Sequence, residues 1–179
     1  MNKRSVHQFE VQQMNGEMMS LKEFENKVLL IVNTATDCGF TPQLKDLEAL
    51  RHDLEGQDFE ILAFPSNDFG GQEPRDGEAI LNFCQATYDT HFPVFEKMRV
   101  RGQYAHPLFK FLSDKKQNGH VGASPRWNFH KYLINREGEV VDFFYPFTKP
   151  NSTKVKKKIF KQLKQNLYEA GYTGFCGSS

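Results

Sequence analysis

The chain has 179 residues, 39% of them hydrophobic and 25% charged, with 17 Phe, which is enough apolar side chain for one ordinary core and too much for a disordered chain. Lys and Arg number 23 against 22 Asp and Glu, a formal charge of +1, so no global electrostatic case exists for a dedicated nucleic-acid binder. The longest aliphatic run, Val28–Val32, falls far short of the ~20 residues of a membrane span, which excludes an integral membrane protein.

Near the N-terminus, Val6–Gln12 alternates apolar and polar residues and then meets Asn15-Gly16, the strongest short hairpin signal. An N-terminal β-hairpin is expected there. Ser20-Leu21-Lys22-Glu23 fits a capping box opening a short helix. Val28–Val32 reads as a strand buried on both faces. Thr41-Pro42 reads as N-cap and first helical position, and Leu44, Leu47, Leu50 and Leu54 mark one face of the helix that follows. Phe59–Phe64 is a second buried strand, ended by Pro65, and Ser66–Gly71 is a polar loop with two glycines. Asp76 is predicted to cap a helix bearing Ile80, Phe83 and Cys84, and His106–Leu112 supports another. Phe129–Ile134 and Val140–Phe144 form a predicted hairpin around Asn135-Arg136-Glu137-Gly138. Val155, Ile159, Leu163 and Leu167 give a closing amphipathic helix. Helices between the early strands, with a hairpin and a helix late, describe an α/β sandwich built on a mixed sheet. No interior linker interrupts it, so residues 1–179 read as one domain, with about 171–179 as a flexible tail.

The three cysteines, Cys38, Cys84 and Cys176, are too few and too scattered for a disulfide-stapled scaffold. The first residues carry basic side chains but no apolar stretch after them, so no secretory signal is read and a reducing cytoplasm is the expected compartment. Cys38 ends a buried strand and precedes a predicted helix. A thiolate there is stabilised by unpaired amide hydrogens and the helix dipole, and Gly39 leaves room for a substrate to reach the sulfur. A small buried residue filling the strand end is the competing reading. Cys84, four residues after Ile80, is by periodicity a core-facing thiol. Cys176 receives no catalytic role, and the six His show no metal-ligand spacing with Cys.

Three blocks bear on that choice. Asn33-Thr34-Ala35-Thr36-Asp37-Cys38-Gly39-Phe40-Thr41-Pro42-Gln43 resembles the nucleophile signature of the glutathione peroxidase family. Phe64-Pro65-Ser66-Asn67-Asp68-Phe69-Gly70-Gly71-Gln72-Glu73-Pro74 resembles its second signature, and Trp127-Asn128-Phe129-His130-Lys131-Tyr132-Leu133-Ile134 its third. The blocks follow the family's order, and the likeness runs from about Phe9 to Leu163. The resemblance implies a thioredoxin-like fold, with a mixed central β-sheet flanked by helices, and the reduction of hydrogen peroxide and organic or lipid hydroperoxides. It implies a catalytic group of Cys38, Gln72, Trp127 and Asn128. The chemistry suits these residue types. A thiolate attacking an O–O bond needs hydrogen-bond donors and a proton for the departing oxygen, and two neutral amides and an indole bring no opposing negative charge.

By the same resemblance Cys84 is the resolving cysteine, upstream of Phe92-Pro93-Val94-Phe95. It attacks a Cys38 sulfenic acid to form a disulfide recycled by thioredoxin, a step for which the Cys84 helix is expected to unwind locally. Alternatives are a glutathione-dependent enzyme with a structural Cys84, and a thiol redox sensor or relay. No metal, flavin or nicotinamide is required. Tetrameric members of the family carry a longer insertion between Lys115 and Trp127, so a monomer with an open site is expected. The chain departs from the family pattern at Ser66, Asp37 and Asp68, and a carboxylate facing the sulfur from either aspartate would disfavour the thiolate.

Overall fold

In the computed structural model, which describes residues 4–171 and side chains through Gln165, a four-stranded sheet carries two apolar layers. Its order is β4 (Phe59–Pro65), β3 (Val28–Thr34), β5 (Lys131–Ile134), β6 (Val140–Phe144). β3 runs parallel to β4 and antiparallel to β5, and β5 and β6 form the expected hairpin. All seven residues of β3 are buried, as a continuous apolar run at the centre of a sheet requires. The two-residue period divides them: Val28, Leu30 and Val32 face one layer, while Leu29 and Ile31 face the other.

The first layer packs Leu44, Leu47 and Leu50 of α1 (Gln43–Asp53), Ile80 and Cys84 of α2 (Glu78–Tyr88), and Val155, Ile159 and Leu163 of α5 (Thr153–Gly171). The second is dominated by aromatics: Phe64, Phe69, Phe95, Phe109, Phe111 and Tyr132. Phe109 and Phe111 come from α3 (Pro107–Ser113), which is followed by the short α4 (Lys115–Asn118). The N-terminal hairpin, β1 (Glu10–Gln12) with β2 (Met18–Ser20), forms around Gly16 at φ +87°. It joins the sheet edge through the segment after Phe92: Glu96 N–H donates to Gln12, and Phe95 N–H donates to Ala63 of β4.

Four local expectations are corrected. Val6–Gln8 is a 3-10 turn rather than strand, because Ser5 Oγ accepts the His7 amide while Val6 N–H donates to Gly138. The Ser20 cap accepts from Lys22 N–H, but Leu21–Phe24 is 3-10 and Glu23 returns no bond among the described residues. Asp76 does not cap α2, whose N-cap is Gly77; its carboxylate pairs with Lys97 at 2.5 Å. β5 begins at Lys131, two residues late, since Phe129 adopts φ +67° and breaks the extended run. The expected tail, Cys176 included, lies outside the described residues, and Leu167 falls among side chains that are not described.

His130 is completely buried, neither ring nitrogen has a hydrogen-bond partner among the described residues, and the ring stacks on Phe143 at 5.7 Å. Burial, aided by Lys131 and Arg126, pushes its pKa from 6.5 down to about 4. Between those values the unfolded chain binds the proton that the folded one refuses, so stability is complete above pH 6.5 and falls as the pH drops toward 4. The loss is about 3 kcal/mol. His130→Phe is expected to remove that part of the acid sensitivity, read as the difference in denaturant unfolding free energy between pH 7 and pH 4.5. An unchanged difference would refute it.

Candidate active site at the β3 and β4 strand ends

Parallel β3 and β4 deliver the Cys38 loop and the Gln72 loop to the same edge of the sheet, where open α/β sheets place their ligands. The turn after β3 is tied internally. Thr41 Oγ1 donates to the Ala35 carbonyl at 2.9 Å and accepts the Cys38 amide hydrogen at 2.9 Å. Cys38 is partly exposed, and its sulfur accepts the Phe40 N–H at 3.3 Å. This corrects the role expected of Thr41. Helix α1 begins at Gln43 with Pro42 as its N-cap and no side-chain cap bond, because the threonine hydroxyl is spent closing the turn that presents the sulfur. The hydrogen bond to that sulfur comes from a loop amide, one turn ahead of the helix.

Gln72 is bound to this turn through its backbone: its carbonyl accepts the Asp37 N–H at 3.0 Å. Its side-chain Oε1 accepts from Asn128 Nδ2 at 2.9 Å. Asn128 is completely buried and its Oδ1 has no partner among the described residues. With Oε1 occupied, Gln72 keeps its amide hydrogens available, so Asn128 sets which way the glutamine points. Trp127 is 36% exposed, against a core role for the only Trp in the chain. Its ring lies 5.6 Å from that of Phe69. Gly70, at φ +65°, lets it approach: a Cβ there would stand 3.2 Å from the indole and 3.5 Å from Gln72 Cγ. The structure thus brings Gln72, Trp127 and Asn128 to one strand-end cluster linked to the Cys38 loop. None of the three hydrogen-bonds the sulfur itself.

Phe129, which closes the Trp127-Asn128-Phe129 turn, is held at φ +67°, a left-handed conformation worth roughly 1–3 kcal/mol of strain. Asn33 Nδ2 donates to the Trp127 carbonyl at 3.0 Å, Phe129 N–H donates to the Asn33 carbonyl at 2.7 Å, and Lys131 Nζ donates to the Phe129 carbonyl at 2.6 Å. Lys131 is fully buried, and desolvation lowers its pKa to about 7.

Sequence reasoning missed Glu73. This carboxylate has no exposed surface and joins the two loops. It accepts the Thr36 amide at 2.9 Å, the Thr36 hydroxyl at 2.6 Å and the Arg75 amide at 3.4 Å. Arg75 in turn donates to the Thr36 hydroxyl at 2.8 Å and lies 4.3 Å from the Phe83 ring of α2. Burial raises the Glu73 pKa against the effect of these bonds. The available signal was its position, directly after Gln72.

Asp68 accepts the Val100 N–H at 2.7 Å, and Asp37 is exposed. Cys84 is 2% exposed in the layer against which Cys38 packs. Desolvation, with Glu73 nearby, pushes its thiol up to about 12. No cluster of three or more His, Cys, Asp or Glu with metal-binding geometry occurs among the described residues, and no described helix is long and apolar enough to cross a membrane.

Residues 6–113 match the sequence family described as glutathione peroxidase. Over 155 residues the chain is 45% identical to a "Glutathione peroxidase homolog BsaA" of Halalkalibacterium halodurans, covering 87% of this chain and 97% of that one. The chain belongs to the glutathione peroxidase family. It is a peroxidase of that family, on a thioredoxin-like fold with a mixed sheet between helices and an N-terminal hairpin. A "Hydroperoxy fatty acid reductase gpx1" from Synechocystis is 43% identical over 82% of this chain and 90% of its own. Among solved structures, "Crystal structure of Trgpx in apo form" superposes with a TM-score of 0.71 at 35% identity, covering 90% of this chain and 97% of that one.

Proposed function

We propose that this peroxidase reduces hydrogen peroxide and organic or lipid hydroperoxides through a sulfenic acid at Cys38, with Gln72, Trp127 and Asn128 as its hydrogen-bonding partners. The Cys38 thiolate attacks the terminal peroxide oxygen. The O–O bond breaks, the sulfur becomes a sulfenic acid, and the departing alkoxide or hydroxide takes a proton to leave as alcohol or water. The observation that carries this reading is a partly exposed sulfur, already accepting an amide hydrogen, in a loop bonded to the backbone of Gln72, whose side chain Asn128 orients. The short stretch from Lys115 to Trp127 supports a monomer with an open site that admits bulky hydroperoxides, and a reducing compartment such as the cytoplasm suits two free thiols.

Cys84 then attacks the sulfenic sulfur, water leaves, and thioredoxin reduces the resulting disulfide. A thiol 2% exposed with a pKa of about 12 is a poor nucleophile where it sits, so this step needs α2 to open. The same burial favours a second reading, in which Cys84 is structural and glutathione is the reductant. Steady-state peroxide consumption by wild type and Cys84→Ser with each reductant separates them. Thioredoxin-coupled turnover is expected to fall at least tenfold in the variant, with loss of helix signal around Phe83–Tyr88 on oxidation of the wild type. Turnover that survives with thioredoxin would remove Cys84 from the mechanism.

A further inference from the structure

Beside the Phe69–Trp127 pair lies a groove of about 450 Å3, lined by Asn67, Asp68, Lys97, Met98, Arg99 and Arg101. Its charges do not cancel. Asp68, with only 10% of its side chain exposed, divides its carboxylate between the amides of Val100 and Arg101, at 2.7 and 3.3 Å, and Arg99 Nε at 3.4 Å. Lys97 pairs with Asp76 and donates to the Arg75 carbonyl at 3.0 Å. Three cations against these two carboxylates leave one net positive charge. It sits on the guanidinium side: Arg99 is 64% exposed, and Arg101, which donates to the Asp68 carbonyl at 3.2 Å, is exposed as well.

The groove also points somewhere. The Arg101 guanidinium lies 4.5 Å from the Phe69 ring centroid, and that ring lies 5.6 Å from Trp127. Phe69 itself has no exposed surface, so it spaces the cations from the partly exposed indole that neighbours Gln72 across Gly70. Met98 adds an apolar wall. A planar guanidinium matches a carboxylate in two-pronged geometry. One net charge beside a nearly buried Asp68 favours a monoanion over a doubly charged phosphate.

We propose that this groove is a subsite for a carboxylate carried by the substrate: a long-chain monocarboxylic acid hydroperoxide rests its head on Arg99 and Arg101 while its chain passes Met98 and the exposed indole of Trp127 toward Cys38. The proposal rests on the peroxidase reading above, which it makes more specific. The test is single-turnover oxidation of the fully reduced protein, without any reductant, by three oxidants: hydrogen peroxide, linoleic acid hydroperoxide and the methyl ester of that hydroperoxide. The lipids are presented in one nonionic detergent. Because exposed ion pairs are weak and salt-screened, the acid is expected to react about 5-fold faster than the ester at low salt, with the preference shrinking as salt rises. Arg99→Ala with Arg101→Ala is expected to bring the acid down to the rate of the ester and to leave hydrogen peroxide unchanged, which also shows that the variant is folded. Equal rates for acid and ester in the wild type, or a preference that survives in the double variant, would overturn the subsite while the peroxidase reading stands. Failure of hydrogen peroxide to oxidise Cys38 would take down both.

Discussion

Gln72→Ala is expected to slow the oxidation of Cys38 by hydrogen peroxide by about 10²–10³-fold, the usual cost of losing one donor to a developing oxyanion. Gln72 is tied to the Cys38 loop through its backbone, whose carbonyl accepts the Asp37 N–H, and its side-chain Oε1 is taken by Asn128. Only the side-chain contribution disappears in the variant, so the loop should stay in place and the thermal midpoint should move little. Asn128→Ala should cost somewhat less, because it removes the orientation of Gln72 but not its donors. The double variant should be little worse than Gln72→Ala alone, as expected for residues acting as one unit. Stopped-flow measurement, using the fluorescence of the single Trp127 beside this pair, reads all three rates. A Gln72→Ala rate within twofold of wild type would show that the donor is elsewhere, and additive losses would show that the two amides act independently.

Glu73→Ala is expected to destabilise the protein by about 3–5 kcal/mol, from the loss of two hydrogen bonds between Thr36 and a buried carboxylate at roughly 1.5–3 kcal/mol each. The amides of Thr36 and Arg75 lose their acceptor, and the Arg75 guanidinium keeps its charge with the carboxylate gone. For a chain of this size the shift in thermal midpoint is on the order of 10 °C. Glu73→Gln keeps the shape and one acceptor oxygen, and should recover more than half of the loss. Thr36 lies two residues before Cys38, so the alanine variant should also lower the rate of Cys38 oxidation at temperatures where it remains folded. Thermal unfolding with the rate measured alongside distinguishes the outcomes. A midpoint within 2 °C of wild type would mean that the Thr36–Glu73–Arg75 cluster does not hold the two loops together.

Much of the architecture is legible in the chain because burial is periodic. Leu44, Leu47 and Leu50 share a helical face, and Val28–Val32 alternates between two layers; both patterns follow from backbone geometry and hold wherever the elements dock. The members proposed for the site were readable for a different reason: three short blocks each resemble a family signature, the first two of them within the family match over residues 6–113. Short-range polar bonding was less legible. Thr41 and Asp76 both stand where helix caps stand, yet one closes the Cys38 turn and the other pairs with Lys97. Glu73 gave no periodic signal, since a lone carboxylate in a loop is ordinarily solvated.

The sequence by itself determined most of the strands and helices, the apolar face of the longer helices and the identity of the reactive cysteine candidate, because apolar spacing and local motifs are properties of neighbouring residues. The tertiary structure alone decided which hydrogen-bonding groups meet. A hydroxyl or carboxylate has several amides within reach along its own chain, and its choice depends on which distant loop closes over it. Gln72 meets Asn128 from 56 positions away and Glu73 meets Thr36 from 37, separations that no local pattern encodes. These contacts form because β3, β4 and β5 pair side by side and bring their ends together at one edge of the sheet.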